Sequence, residues 1–108
     1  GYGNVSAHDP ATPCASACDL LVNATSAGLT SATPPPVPPG AADADTACYD
    51  LVYGSGETAF LAWARDAGIS RRVDGLGMLV EQAAAAFERW HGLRPETASV
   101  ISALRQRL

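Results

Sequence analysis

The sequence predicts an α/β chain: the second half of a doubly wound parallel sheet, followed by helices that dock elsewhere. Three observations predict it. Residues 19–23 (DLLVN) and 46–53 (TACYDLVY) are compact apolar runs rich in branched or aromatic residues, the pattern of strands buried within a parallel sheet. Three stretches of helical periodicity then follow. Two or three strands make a poor sheet on their own, so the sheet is expected to continue in other polypeptide.

Taken in order, the first 17 residues are polar and turn-rich. Residues 5–7 are expected as a short strand, ended at His8-Asp9-Pro10 because Pro10 disfavours helical geometry at Asp9. Residues 15–17 are expected as a helical turn. After the strand at 19–23 come the small residues Ala24-Thr25-Ser26-Ala27-Gly28, at the carboxyl end where open α/β sheets hold ligands. Residues 30–45 read as a loop, and five of the eight prolines fall in its TPPPVPPG run. An extended, polyproline-like surface crossover is favoured there over a ligand for a proline-recognition module.

The second strand, 46–53, is broken by Gly54-Ser55-Gly56. Thr58 caps a helix over 59–67, with Gly68 as its stop and Phe60, Leu61, Ala64 and Ala67 on its apolar side. Asp74 caps a longer helix over 75–91, in which Leu76, Leu79, Val80, Ala83, Phe87 and Trp90 recur at helical spacing, and Gly92 ends it. Pro95 starts a last helix over 95–106, its charge order (Glu96 in front, Arg105 and Arg107 behind) matching the helix dipole. Val100, Ile101, Leu104 and Leu108 form its sticky side. There is no internal repeat.

Composition narrows the function. The 108 residues are 47% hydrophobic and 17% charged, ordinary for a globular domain, with net charge −4. That balance argues against nucleic acid or an anionic membrane as partner, since both need clustered cations. Arg71–Arg72 and Arg105–Arg107 read as solvated faces or helix ends. No apolar run is long enough to span a bilayer, and no signal peptide is visible. Cys14, Cys18 and Cys48 form no disulfide framework. Cys14 and Cys18 would share a helix face, but without a second CxxC or a His pair they read as plain thiols rather than metal ligands. A reducing cytoplasm is the expected setting.

The common catalytic motifs are missing: GxGxxG, GxxxxGK[ST], GxSxG and HExxH. The Gly1-Tyr2-Gly3 start does not qualify as a dinucleotide loop, since no strand precedes it. His8 and His91 read as structural or surface residues. What remains is Asn23-Ala24-Thr25-Ser26 after one strand, Tyr49-Asp50-Leu51-Val52-Tyr53 ending another, and Asp74-Gly75-Leu76-Gly77-Met78 opening a helix with two glycines that let a ligand come near the backbone. Gln82 lies one turn beyond Met78 on the same helix edge, and its amide both donates to and accepts from a polyol. Singly, Gln82 is a surface residue, Tyr53 a core aromatic and Gly77 a packing glycine.

Together and in this order, DLLVNATSAG, YDLVYGSGETAFLAWARDAG and DGLGMLVEQAAAAFERWHG resemble the C-terminal region of shikimate dehydrogenases over residues 19–108. Ala59 stands where that family usually has proline, and Leu51 where methionine is common. The resemblance implies an NADP-dependent oxidoreductase of aromatic amino acid biosynthesis that interconverts shikimate and 3-dehydroshikimate. It implies that residues 1–73 complete a Rossmann-type cofactor domain and that the helices of 74–108 return to a substrate domain. Carried over residue by residue, Asn23, Ala24, Thr25, Ser26, Leu51, Gly75 and Met78 would line NADP, and Tyr53 and Gln82 would contact the substrate.

The family's catalytic lysine, its aspartate partner and the glycine-rich phosphate loop lie upstream of this region, and this chain has no lysine at all. The expectation is therefore a C-terminal piece that is active only with its N-terminal part. Two alternatives stand beside it: a quinate/shikimate relative using NAD, and a non-catalytic truncated interaction module.

Overall fold

The computed structural model describes residues 3–30 and 32–108, with Thr30 described by its backbone alone. Gly1 and Tyr2 of the glycine–tyrosine start, and Ser31 of the crossover loop, lie outside the described residues. Three parallel strands form one sheet in the order β1-β2-β3: β1 is Leu20–Asn23, β2 Ala47–Asp50 and β3 Arg71–Val73. A single turn, α1 (Ala27–Thr30), follows β1; α2 (Ala59–Asp66) joins β2 to β3; α3 (Leu76–His91) and α4 (Ala98–Arg107) end the chain.

The alternation of a strand decides what each face does. In register, Leu21 sits beside Cys48 and Cys48 beside Arg72. On that face α2 lays Phe60, Leu61 and Ala64, which with Cys48 and Ile69 make the buried core. Phe60 stacks on Trp63 with ring centroids 5.7 Å apart. The other face carries the rows Leu20–Ala47–Arg71 and Val22–Tyr49–Val73, and Leu20, Val22 and Val73 are exposed there. A parallel sheet is ordinarily covered on both faces. This one has a covered face and a bare one among the described residues.

The crossover from β1 to β2 contains only one helical turn, and the proline run replaces the missing helix. Pro35 is buried, Val37 packs against the core, and residues 35–38 line a small cavity with Leu21, Val22, Asn23, Thr25 and Phe60. Thr46 closes the crossover: its hydroxyl donates to the Cys18 carbonyl at 2.7 Å and accepts the Asp43 N–H at 3.0 Å.

Cap chemistry sets the start of α2 and the ends of α2 and α3 where it was expected to, whereas Gly75 rather than Asp74 holds the N-cap position of α3. Thr58 Oγ1 accepts from the Leu61 N–H at 3.2 Å, and Gly68 (φ 83°) and Gly92 (φ 72°) turn the chain out of α2 and α3 in the left-handed region that glycine adopts without strain. Several expectations fail. Residues 5–7 form no strand and 15–17 no helix, because neither stretch pairs with the sheet or packs on it. Cys14 and Cys18 share no helix; both lie along the crossover, donating their N–H groups to Pro39 and Ala41 carbonyls. The second strand stops at Asp50, three residues before Tyr53, because Val52 turns to accept from the Gly75 N–H at 3.3 Å. Arg71–Arg72 are strand residues, not a helix end. Ala67 is exposed, and the last helix begins at Ala98, after Glu96 has accepted the Ser99 N–H at 3.2 Å.

Helices α3 and α4 pack mainly on each other. Arg94 and Thr97 between them both bind Glu81, at 2.8 and 2.6 Å. α3 buries Leu76, Val80 and Ala84, α4 buries nothing, and Leu79, Phe87, Trp90 and Val100 remain exposed, Trp90 by 77%. No helix among the described residues is long and apolar enough to cross a membrane.

Candidate functional site

The carboxyl ends of all three strands point at one rim, and the segments leaving them carry the residues of interest. At β1 the chain ends in Asn23, which is buried; Ala24, Thr25 and Ser26 follow and are exposed. Asn23 is paired in register with Asp50, the buried last residue of β2, and its Nδ2 donates to Asp50 Oδ1 at 3.1 Å. Asn23 Oδ1 accepts the Thr25 N–H at 3.1 Å and the Thr25 hydroxyl at 2.7 Å. Both polar atoms of the Asn23 side chain thus have partners within the protein, and it shapes the rim while its neighbours face outward.

The rim closes around Gly75. A Cβ built there would lie 2.0 Å from the Leu51 carbonyl oxygen and 2.7 Å from its carbon, so any side chain would collide with backbone. Only glycine lets the start of α3 lie against the end of β2. Gly77 is the opposite case, with nothing within 4 Å of a Cβ. Of the two glycines, Gly75 is therefore the packing residue and Gly77 the one with open space beside it.

The structure brings Asn23, Thr25, Leu51 and Gly75 into one connected group: Leu51 donates its N–H to the Asn23 carbonyl at 3.1 Å and meets Gly75 through its own carbonyl. Ala24 and Ser26 flank Thr25 on the same turn. Met78 is half-buried in the first turn of α3, and Gln82 is exposed one turn later. Tyr53 is exposed on the loop after β2, where it lines a cleft of about 530 Å³ together with Val52, Ser55, Thr58 and Ala59. No hydrogen bond joins Tyr53 to Gln82 among the described residues. A second cleft, of about 450 Å³, adjoins it across Gly54, Ser55, Gly56 and Glu57, and is lined on its far side by Arg72, Asp74 and Arg105.

Asp74 ties this rim to the last helix. Its Oδ1 accepts the Leu76 N–H at 3.2 Å, and Arg105 of α4 grips both carboxylate oxygens, at 2.6 and 2.8 Å. The Arg105 hydrogen bonds hold the Asp74 carboxyl below the usual aspartate range, against a smaller opposing effect of burial and with further help from the Leu76 N–H. A carboxylate depressed in this way stabilises the fold above the unfolded value, about 4, and that contribution is lost as pH falls through the depressed folded value. Urea midpoints should accordingly drop between pH 7 and pH 3, and Asp74→Asn should show a smaller drop, having lost about 1 kcal/mol at neutral pH. Equal pH dependence in the two proteins would contradict this role for the pair.

Three contributions escape sequence reasoning. Asp50 and the Asp74–Arg105 pair depend on cross-strand register and on a contact 31 residues apart in sequence, which local pattern does not encode. Glu57 receives Arg65 and lies 3.8 Å from Arg72, fixing the wall between the two clefts. The one available signal was Asp50 itself, a charged residue inside a run read as a buried strand.

Comparison with known proteins gives a consistent result. Residues 75–105 match the family described as "Shikimate 5'-dehydrogenase C-terminal domain". The chain is 52% identical over 90 residues to the shikimate dehydrogenase (NADP(+)) of Aromatoleum aromaticum, a match covering 83% of this chain and 32% of that protein. It superposes on the Ael1 enzyme from Pseudomonas putida with a TM-score of 0.73 at 49% identity, covering 83% of this chain and 33% of that one. It superposes on a shikimate dehydrogenase in complex with NADP+ with a TM-score of 0.71 at 31% identity, covering 82% and 31%. The chain spans about a third of the length of the curated relatives it matches.

Proposed function

We propose, from a chain whose sequence and fold are those of the C-terminal portion of the shikimate dehydrogenases, that it forms one side of the active site of an NADP-dependent oxidoreductase interconverting shikimate and 3-dehydroshikimate. The observation that carries this reading is the approach of Gly75 to the Leu51 carbonyl, which sets the α3 start against the carboxyl ends of the strands. Ligands of open α/β sheets sit at that end.

The residues present suit a dinucleotide. Ala24, Thr25 and Ser26 expose small side chains, Leu51 is exposed beside them, and Gly77 leaves open space at the helix start. Asn23, Ala24, Thr25, Ser26, Leu51, Gly75 and Met78 would hold NADP, with Asn23 acting through its backbone and its grip on Thr25. When bound, NADP supplies the hydride acceptor for alcohol oxidation. Tyr53 and Gln82 supply a phenol and an amide, the donors and acceptors a polyhydroxylated acid requires. Proton transfer at the reacting oxygen needs a group of suitable pKa. The lysine to which the family resemblance assigns this role is absent from the chain, so in this reading that group comes from polypeptide matching the remaining length of the relatives.

In this reading residues 1–73 belong to the cofactor domain and 74–108 to helices that dock on a substrate domain. The exposed Leu79, Phe87, Trp90 and Val100 support such a docking face. The unpaired thiols of Cys14, Cys18 and Cys48 fit a reducing cytoplasm.

The test is a graft in which this chain replaces the matching stretch of the Aromatoleum aromaticum enzyme. The 108-residue chain alone should not oxidise shikimate with NADP, and the graft should. Turnover by the chain alone would contradict a one-sided site. In the graft, Tyr53→Phe should raise the KM for shikimate about tenfold with little change in kcat, the size of one lost hydrogen bond to a charged or polar ligand. An unaltered KM would remove Tyr53 from the site.

A further inference from the structure

Asp50 is a carboxyl group in an unusual place. It is the last residue of the central strand, it is completely buried, and its Oδ2 has no hydrogen-bond partner among the described residues. Burying a carboxyl group with one oxygen unpaired is costly, so its presence calls for a function that an apolar residue could not perform.

Its other oxygen shows what that function is. Asp50 Oδ1 accepts from Asn23 Nδ2 at 3.1 Å and from the Val52 N–H at 3.1 Å. An asparagine amide has two faces of similar shape, one donating and one accepting, and its neighbours decide which way it points. The Val52 N–H points at Asp50 Oδ1, so this oxygen faces Asn23 as an acceptor. Beside it, the amide of Asn23 must turn its nitrogen to Asp50 and its oxygen to Thr25. That oxygen then takes both the N–H and the hydroxyl of Thr25, and the Thr25 hydroxyl in turn accepts the Ala27 N–H at 3.3 Å, at the start of α1. The chain of bonds runs from Asp50 through Asn23 and Thr25 to α1.

We propose that Asp50 is a positioning residue for the cofactor-facing turn at residues 23–26: its Oδ1 fixes the orientation of the Asn23 amide, and the amide fixes Thr25. The cofactor part of this inference rests on the function proposed above; the orientation part does not.

The test breaks the contact from each side in turn. Asn23→Asp sets two carboxyl groups against each other. Asp50→Leu removes the acceptor, whereas Asp50→Asn keeps an amide oxygen where Oδ1 stands, for the Asn23 amide and the Val52 N–H alike. In the 108-residue chain, hydrogen exchange of the Thr25 and Ala27 amides should accelerate about tenfold in Asn23→Asp and in Asp50→Leu, and Asp50→Asn should stay close to the original rates. In the graft, the Kd for NADP should rise about tenfold in the two disruptive variants, a loss of 1.4 kcal/mol, and stay in place in Asp50→Asn, while the KM for shikimate stays unchanged. If one disruptive variant does not fold, the other gives the same two readouts. Unchanged exchange in the disruptive variants, or equal acceleration in Asp50→Asn, overturns the proposal. Altered exchange with an unaltered NADP Kd overturns its cofactor part and leaves a purely structural pair. A graft with the original residues that fails to bind NADP counts against the proposed function, and exchange alone then decides the role of Asp50.

Discussion

Replacing Gly75 by alanine is expected to destabilise the chain by about 3 kcal/mol and to abolish turnover in the graft, whereas Gly77→Ala leaves folding intact. The added Cβ at Gly75 would lie 2.0 Å from the Leu51 carbonyl oxygen. Backbone cannot rotate aside as a flexible side-chain end can, so α3 must move away from β2. The Gly75 N–H would then lose the Val52 carbonyl, and the rim that carries Leu51, Met78 and Gln82 would open. At Gly77 the added methyl meets nothing, and alanine in a helix is favoured over glycine by up to about 1 kcal/mol. The comparison is read by urea denaturation of both variants and by kcat/KM. Equal stability of the two variants would mean that the approach of α3 to β2 does not hold the site together. If a ligand does come beside α3, Gly77→Ala should lower activity without lowering stability.

Gln82→Ala should have the reverse signature: kcat/KM for shikimate falls about 100-fold, the loss typical of one oriented donor at a reacting oxygen, while the unfolding midpoint stays in place. Gln82 is exposed on α3 and its amide has no hydrogen-bond partner among the described residues, so truncation removes no interaction that holds this chain together. A kinetic defect can then come only from what the amide meets outside the chain. Unchanged kinetics with a lowered midpoint would make Gln82 a packing residue of α3 and remove it from the site.

The parts of the fold legible in sequence were those written in local chemistry. Thr58, Gly68 and Gly92 mark helix ends by hydrogen bonds and by positive φ within a few residues, and Leu20–Asn23 is apolar enough to announce itself. β3 was missed because Arg71-Arg72-Val73 is a strand only by virtue of pairing with Ala47–Tyr49; nothing in three residues, two of them charged, signals it. The second strand was read too long because the apolar run continues through Leu51 and Val52 after pairing has ended, those residues being used to receive α3.

The site divides in the same way. The glycine pair of the DGLGM segment stood out, but which glycine packs and which stands open depends on where the Leu51 carbonyl lies. Asn23 was legible as a residue at a strand end; its partner Asp50, 27 residues away, was not. Four of the six residues expected on the apolar side of α3, Leu79, Ala83, Phe87 and Trp90, are exposed, so the helical periodicity holds while the burial it implied is met only at Leu76 and Val80.

The most direct measurement is the steady-state kcat/KM for shikimate, with NADP, of the graft that carries this chain in place of the matching stretch of the Aromatoleum aromaticum enzyme. A chain that forms the nicotinamide and substrate side of the site should keep that value within about tenfold of the host enzyme, a change of 1.4 kcal/mol in transition-state binding. A graft that folds and binds NADP yet does not oxidise shikimate would contradict the account.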